Sequence, residues 1–352
     1  MLKDNTLELH GLIGGNLKSQ DSIKRFKIVG NGDVSSSSYK EDIKNTGATS
    51  DNYIFFKMGD YLYKLSINPN NSESLGTITM LNRLSYQKFM AIKSIPNGFG
   101  VMYWKDSGIC VFELYDKNCL KIGSYEKSMP LSSANANQCG IIGNWTNGNV
   151  TFITEWNSGN QRVITLSSNG SLLYERNPAD YYSCPNVKNG GVADGDYIIA
   201  PDIYFSQIIK YNVPTGQRVY SKSLGTVTDK IVIDTKYDCM FSAQVGTMYK
   251  TSDFTQYNDF LCSKFNIEHI NLYNTTFSPK PGGSQIWMSA NGEGYEMYFA
   301  KEHGKKYINI RFLSELQQVN GPTTPLYPFC SPSAKTLVLF NNSNTKFTIY
   351  NR

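Results

Sequence analysis

Three carboxylates stand where a polysaccharide-cleaving site would want them: Asp106, Glu155 and Asp202 each follow an apolar run, in "VMYWKD", "VTFITEW" and "YIIAPD". Glycoside hydrolysis uses two such groups at a matched separation, one protonating the leaving oxygen and the other acting as base or nucleophile. Acidic residues are also ordinary at polar loop tips, so these types alone assign no catalytic residue. Aromatic residues crowd the same places. Trp104 and Trp156 end two of the runs, Tyr204 and Phe205 follow the third in "APDIYFSQ", and Tyr181 and Tyr182 lie in the connection "NPADYYSCPN". An exposed ring stacks on a sugar or anchors a protein partner, whereas a ring closing an apolar strand packs inward by default. The candidate binding residues are therefore Trp104, Trp156, Tyr181, Tyr182, Asp202, Tyr204 and Phe205.

Other chemistries find less support. A zinc or iron site wants clustered His, Cys or carboxylates, and the three histidines, His10, His269 and His303, are far apart. No G-x-S-x-G occurs, and "GLIGGN" at Gly11 neither follows a strand nor opens a helix, so neither a serine nucleophile nor a phosphate loop is expected. No metal and no cofactor is expected. The net charge of +5 is spread along the chain with no basic run, which argues against a nucleic-acid partner. The first residues contain no continuous apolar stretch and no segment approaches the ~18 apolar residues of a membrane span. The expectation is a chain with no membrane insertion, cytoplasmic or part of a virion. Seven cysteines with no CxxC pair read as buried thiols in a reducing compartment.

The elements that would position these residues are strands. Tyr (24), Phe (18), Gly (29) and abundant Asn, Ser and Thr favour strands and turns, and no sustained 3.6-residue apolar period occurs; "FLSELQQV" near Phe312 comes nearest. One unit recurs. Apolar anchor strands begin at Tyr53, Gly100, Val150, Tyr197, Cys239, Ile286 and Leu337, separated by 42 to 51 residues. Each anchor is preceded by a short segment and a Gly-, Pro-, Asn- or Asp-containing turn, as in "AIKSIPNGFG", and followed by a polar tip and a third strand, as in "GICVFELY". A more polar fourth strand then follows in most units, among them "LKIGSY", "SLLYER" and "RVYSKS".

Four antiparallel strands repeated seven times at this spacing resemble the β-propeller superfamily. The resemblance implies an all-β fold: one seven-bladed β-propeller of four-stranded antiparallel blades over residues 23–352. The seventh unit ends after three strands at "KFTIYN", while "IKRFKIVG" (residues 23–30) has no partner near it in sequence. Pairing of these two segments would complete the last blade, as in the three-plus-one closure of WD40-type propellers, and would remove a free strand edge. The likeness is one of spacing: no unit carries the GH and WD pairs of WD40 blades, the sialidase Asp-box or the docking motif of quinoprotein dehydrogenases.

Residues 1–22 fall outside the repeat and are expected to pack on the propeller or dock on a partner. A rigid disc without a catalytic signature is expected to be a non-enzymatic structural or interaction protein, binding other subunits of an assembly such as a virus or bacteriophage tail. A glycan-binding, lectin-like propeller using the aromatic loops is the alternative, and a polysaccharide hydrolase or lyase the third reading.

Overall fold

The computed structural model describes residues 27–105, 108–129, 139–144, 146–154, 162–177, 185–187, 191–202, 207–223, 231–234, 239–242, 247–255, 285–291, 294–300, 307–309, 314–315, 326–331, 336–341 and 345–351. Strand β1 (Lys27–Asp33) leads into helix α1 (Ser37–Thr46), followed by β2 (Ala48–Thr49), β3 (Tyr53–Met58), β4 (Tyr61–Ser66) and β5 (Ile78–Arg83), which form the first sheet. The second sheet is β6 (Lys88–Ile95), β7 (Gly98–Trp104), β8 (Ile109–Asp116) and β9 (Lys121–Ser128). The third is β10 (Gly140–Gly143), β11 (Val150–Thr154), β12 (Arg162–Leu166) and β13 (Leu172–Arg176), and the fourth is β14 (Val192–Asp194), β15 (Tyr197–Pro201), β16 (Gln207–Asn212) and β17 (Gln217–Ser223). β18 (Ile231–Asp234), β19 (Cys239–Ser242) and β20 (Thr247–Tyr249) form the fifth sheet. β21 (Gln285–Asn291), β22 (Gly294–Ala300), β23 (Tyr307–Asn309) and β24 (Ser314–Glu315) form the sixth, and β25 (Leu326–Cys330), β26 (Thr336–Asn341) and β27 (Lys346–Asn351) form the seventh together with β1.

Every sheet is antiparallel, the first six are meanders and the seventh is a meander completed by β1, and successive sheets neighbour one another through their first strands, from β25 to β2, β6, β10, β14, β18 and β21. The bridge between Asn144 and Ala193, from neighbouring sheets, is parallel. First strands running side by side in one direction, with each sheet extending outward from them, make a β-propeller, the all-β fold expected from the repeat.

Packing explains the composition. The second and third strands of a sheet lie between two neighbours, so β7 is buried at every position and β8 at all but its ends, whereas β9 alternates between exposed and half-buried. Adjacent sheets share one core. Phe55 of the first sheet sits 5.1 Å and 5.0 Å, centroid to centroid, from Phe99 and Tyr115 of the second, and Phe112 of the second sits 5.1 Å from Phe152 of the third. Truncating such a ring costs about 3–5 kcal/mol, so no sheet is stable without its neighbours.

The ends of the repeat pair as expected, with a shift along the chain. β1 runs antiparallel to β27, Lys27 opposite Asn351 and Asp33 opposite Lys346. The pairing strand is thus Lys27–Asp33, displaced from the expected 23–30, of which 23–26 lie outside the described residues. A glycine permits the close approach: a Cβ at Gly32 would lie 2.2 Å from Cζ of Phe347, whose buried ring lies across the N-terminal strand.

Two local features depart from the expected pattern. α1 is a helix that the sequence did not announce. Ser36 caps it by accepting from the Ser38 N–H, and Tyr39 and Ile43, one turn apart, cover Phe56, Phe329 and Phe340. Two apolar contacts in ten residues are too few to produce a visible period. In the sixth sheet, "IWMSA" was expected as a second strand but is the first among the described strands of its sheet, and the preceding segment, 275–284, lies outside the described residues. Within "FLSELQQV", too short for a helix, Ser314–Glu315 pairs with Ile308 and Asn309 as a strand.

Candidate interaction surface

The residues chosen for their chemistry separate into two groups. Trp156, Tyr181, Tyr182, Tyr204 and Phe205 lie outside the described residues, as do Asp106, Glu155 and the three histidines. Trp104 and Asp202 are described, and both are buried, 0% and 1% exposed. Trp104 donates its indole N–H to the Met129 carbonyl at 3.1 Å, inside the core between the second and third sheets. Asp202 lies just beyond β15, its N–H bonded to the Gln207 carbonyl and its backbone bridged to Pro185. Neither side chain is offered to a ligand on an open face, since both are buried. Among the described residues no group of three His, Cys, Asp or Glu side chains converges to hold a metal. Cys110, Cys119 and Cys139 are buried thiols, and burial pushes Cys110 and Cys119 above the ordinary range, which keeps them protonated.

Where charge is buried, it is tied into the fold. Glu113 on β8 is nearly covered and accepts from the hydroxyls of Tyr115 (2.7 Å) and Tyr103 (3.2 Å) and from the ammonium of Lys121. Asn82 of the first sheet donates to the Tyr115 hydroxyl at 3.2 Å, so the network joins two sheets. Burial, and then the Glu113 charge, push both phenols well above the usual tyrosine range. A carboxylate with three donors, two of them phenols held in place, ties the two sheets together. Glu175 does the same between the second and third sheets, pairing with Lys127 at 2.8 Å and Arg162 at 3.8 Å and accepting from Tyr125 at 3.4 Å.

The outer rim is different. In four sheets the outermost strand carries a one-residue bulge against its partner. The ladder passes from Ile28 to Gly30, from Lys121 to Gly123, from Leu172 to Tyr174 and from Arg218 to Tyr220, and skips one residue each time. The skipped residues are Val29, Ile122, Leu173 and Val219, all aliphatic and all exposed, by 38%, 40%, 43% and 56%. Leu120, Leu172 and Tyr220 stand beside them, and Met80 is exposed on the outer strand of the first sheet. Bulges protect a free edge by breaking its ladder, and charged or small residues would serve that purpose. Exposed aliphatics at the same place in four outer strands are not needed for protection, and they are not core.

Sequence reasoning looked for binding residues at the loop faces and passed over this rim. The available signal was a pair of adjacent apolar residues, "IV", "LL" and "VY", in strands that otherwise alternate. Such a pair breaks the two-residue period and marks a bulge.

No protein-family model and no curated protein matches the chain. Among solved structures, a chain of the mitotic checkpoint complex is similar at a TM-score of 0.51 and 10% identity over 96% of both chains. The β-propeller domain of Cps50 (Swd1) from Myceliophteria thermophila gives a TM-score of 0.49 at 9% identity, over 93% of this chain and 99% of that one. BamB from Moraxella catarrhalis gives 0.42 at 12% identity, over 87% and 82%. At this identity the likeness is one of fold, and the fold is a β-propeller.

Proposed function

We propose that this chain is a non-enzymatic protein-interaction scaffold. The observation that carries the reading is the set of bulged, exposed aliphatic residues, Val29, Ile122, Leu173 and Val219, repeated on the outer strands of four sheets. Exposed aliphatic side chains repeated on the outer strands of a propeller are a surface that another protein can cover. The similar chain from the mitotic checkpoint complex is itself a component of a complex, which agrees with the reading. The carboxylates of Glu113, buried, and Glu175, half-buried, are occupied by structural partners, so their placement needs no catalytic explanation.

The finer form of the proposal is a subunit of a virion or phage tail, supported by the absence of family signatures and the Asn- and Tyr-rich composition. The test is isolation of the tagged chain from its native source at native abundance, followed by cross-linking and mass spectrometry. The expected result is a stoichiometric assembly that weakens when Ile122 and Leu173 are both replaced by Lys; tail or capsid proteins among the partners would establish the finer form. A chain that runs alone at 39.6 kDa would overturn the scaffold reading.

A further inference from the structure

Neighbouring sheets meet in seams at the rim, and in three of them a side chain from one outer strand reaches across to the next sheet. Tyr125 donates to Glu175 between the second and third sheets, Arg176 donates to the Pro214 carbonyl between the third and fourth, and Tyr220 packs 5.3 Å from Phe254, just beyond β20 of the fifth. The closure seam, between the seventh sheet and the first, is built differently. β1 turns Gly30 and Gly32 towards the first sheet, because they stand opposite Ile349 and Phe347, which lie in the core that the two sheets share. No side chain crosses from either position.

The strand facing these glycines is apolar. Ile78 and Met80 of β5 pair with Leu65 and Tyr63, members of the same core, so both are turned to the closure seam. Tyr39, Tyr61, Leu75 and Ile78 pack on that core and stay partly open, and Met80 is 56% exposed. A cluster of apolar side chains left open at one seam marks a place where another segment packs.

The chain itself enters beside this seam. Lys27, where β1 begins, is three residues from Gly30, and a Cβ at Gly30 would lie 3.1 Å from Leu75. Residues 1–26 are outside the described residues. Among them, residues 9–17, "LHGLIGGNL", carry the aliphatic side chains of Leu9, Leu12, Ile13 and Leu17 and no Asp, Glu, Lys or Arg. Residues 18–26 span at most roughly 30 Å, against about 20 Å for the length of β5, so this uncharged run reaches any point along the seam.

We propose that residues 9–17 fold back over the closure seam, where their aliphatic side chains cover Met80. The N-terminal extension then packs on the propeller that its own continuation, β1, closes. A separate partner, or a second copy, would have to displace a tethered segment whose effective concentration is about millimolar. The scaffold reading rests on Val29, Ile122, Leu173 and Val219 and is independent of this contact.

The test is oxidation by dilute hydrogen peroxide, which converts an accessible methionine thioether to the sulfoxide, read by peptide mass spectrometry. Met80 in the full chain is expected to react at least about tenfold more slowly than in a chain lacking residues 1–19, the ratio given by ~1.4 kcal/mol of docking. Leu12→Asp together with Ile13→Asp in the full chain should bring Met80 to the rate of the shortened chain. Met90, half-buried against the core of the second and third sheets, should react alike in all three.

Equal Met80 rates in the full and shortened chains overturn the proposal, and so does indifference to the double substitution. Protection that grows with chain concentration assigns the cover to a second copy and overturns it as well. If faster Met90 oxidation shows that the shortened chain has loosened, the double variant decides alone.

Discussion

The contact between Gly32 and Phe347 predicts how the propeller is held shut. A methyl added at Gly32 would lie 2.2, 2.6 and 2.7 Å from three atoms of the Phe347 ring, against the 3.4 Å or more of ordinary contact. The ring cannot swing away freely, because it is 2% exposed and Phe340 lies 5.0 Å behind it. Gly32→Ala should therefore cost about 1–3 kcal/mol through overpacking, offset by ~0.4–1 kcal/mol from the loss of glycine freedom in the unfolded chain. Phe347→Ala should cost about 3–5 kcal/mol.

The decisive variant is the double one. With the ring gone, the methyl at position 32 enters the space it left, so the double variant should be no less stable than Phe347→Ala alone. That corresponds to a coupling of about 1–2 kcal/mol. At ~2.1 cal/mol/K per residue, 352 residues give an unfolding entropy near 0.7 kcal/mol/K, so 2 kcal/mol moves the melting point by only about 3 °C. Equilibrium urea unfolding of the full chain is the better assay. Additive single effects, within about 0.5 kcal/mol, would refute closure through this contact.

Further outcomes follow from the same structure. Glu113→Ala should destabilise by about 2–4 kcal/mol in urea unfolding, because it leaves two buried phenols and the Lys121 ammonium without their acceptor. Tyr103 and Tyr115 have folded-state values raised above the ordinary 10.0, so the folded chain holds their protons longer than the unfolded one does. The stability this provides is complete below pH 10 and is lost as pH rises above it, and Tyr103→Phe should make the alkaline loss less steep in a pH series of urea midpoints. Ser36→Ala should cost about 1 kcal/mol by removing the cap of α1, and Ser36→Asn should retain most of it. Deleting residues 1–33 should expose the edge of β27 and cause aggregation in light scattering, whereas deleting residues 1–19 should not.

The repeat and its closure were legible because strand physics is local. An apolar run, a Gly- or Pro-containing turn and a second apolar run specify a hairpin wherever they occur, and the spacing of the anchors at Tyr53, Gly100, Val150 and Tyr197 carried over directly to β3, β7, β11 and β15. α1 was not legible, because its stability comes from Tyr39 packing on Phe56 and Tyr63 and from a shared core that includes Phe329 and Phe340 from the far end of the chain. The candidate surface was missed for a related reason. Whether Trp104 faces solvent depends on the adjacent sheet, and that Ile122 falls outside the ladder depends on the register with β8. Neither is a property of a short window of sequence. Buried Trp104 follows the inward default of a ring that closes an apolar strand, whereas exposed Val219 reverses what residue type alone would assign.

The pairing of Lys27 with Asn351 also has a consequence in time. Synthesis delivers β1 first and β27 last, so the slot beside β1 stays empty until residues 346–351 have emerged. Closing a loop of more than three hundred residues costs only about 1.5–2 kcal/mol more entropy than closing one the size of a single blade, because the penalty grows with the logarithm of length. The equilibrium is therefore little affected by the distance along the chain. The order of events is affected: through most of translation β1 is an unpaired strand, and it must be kept from other partners until its own arrives.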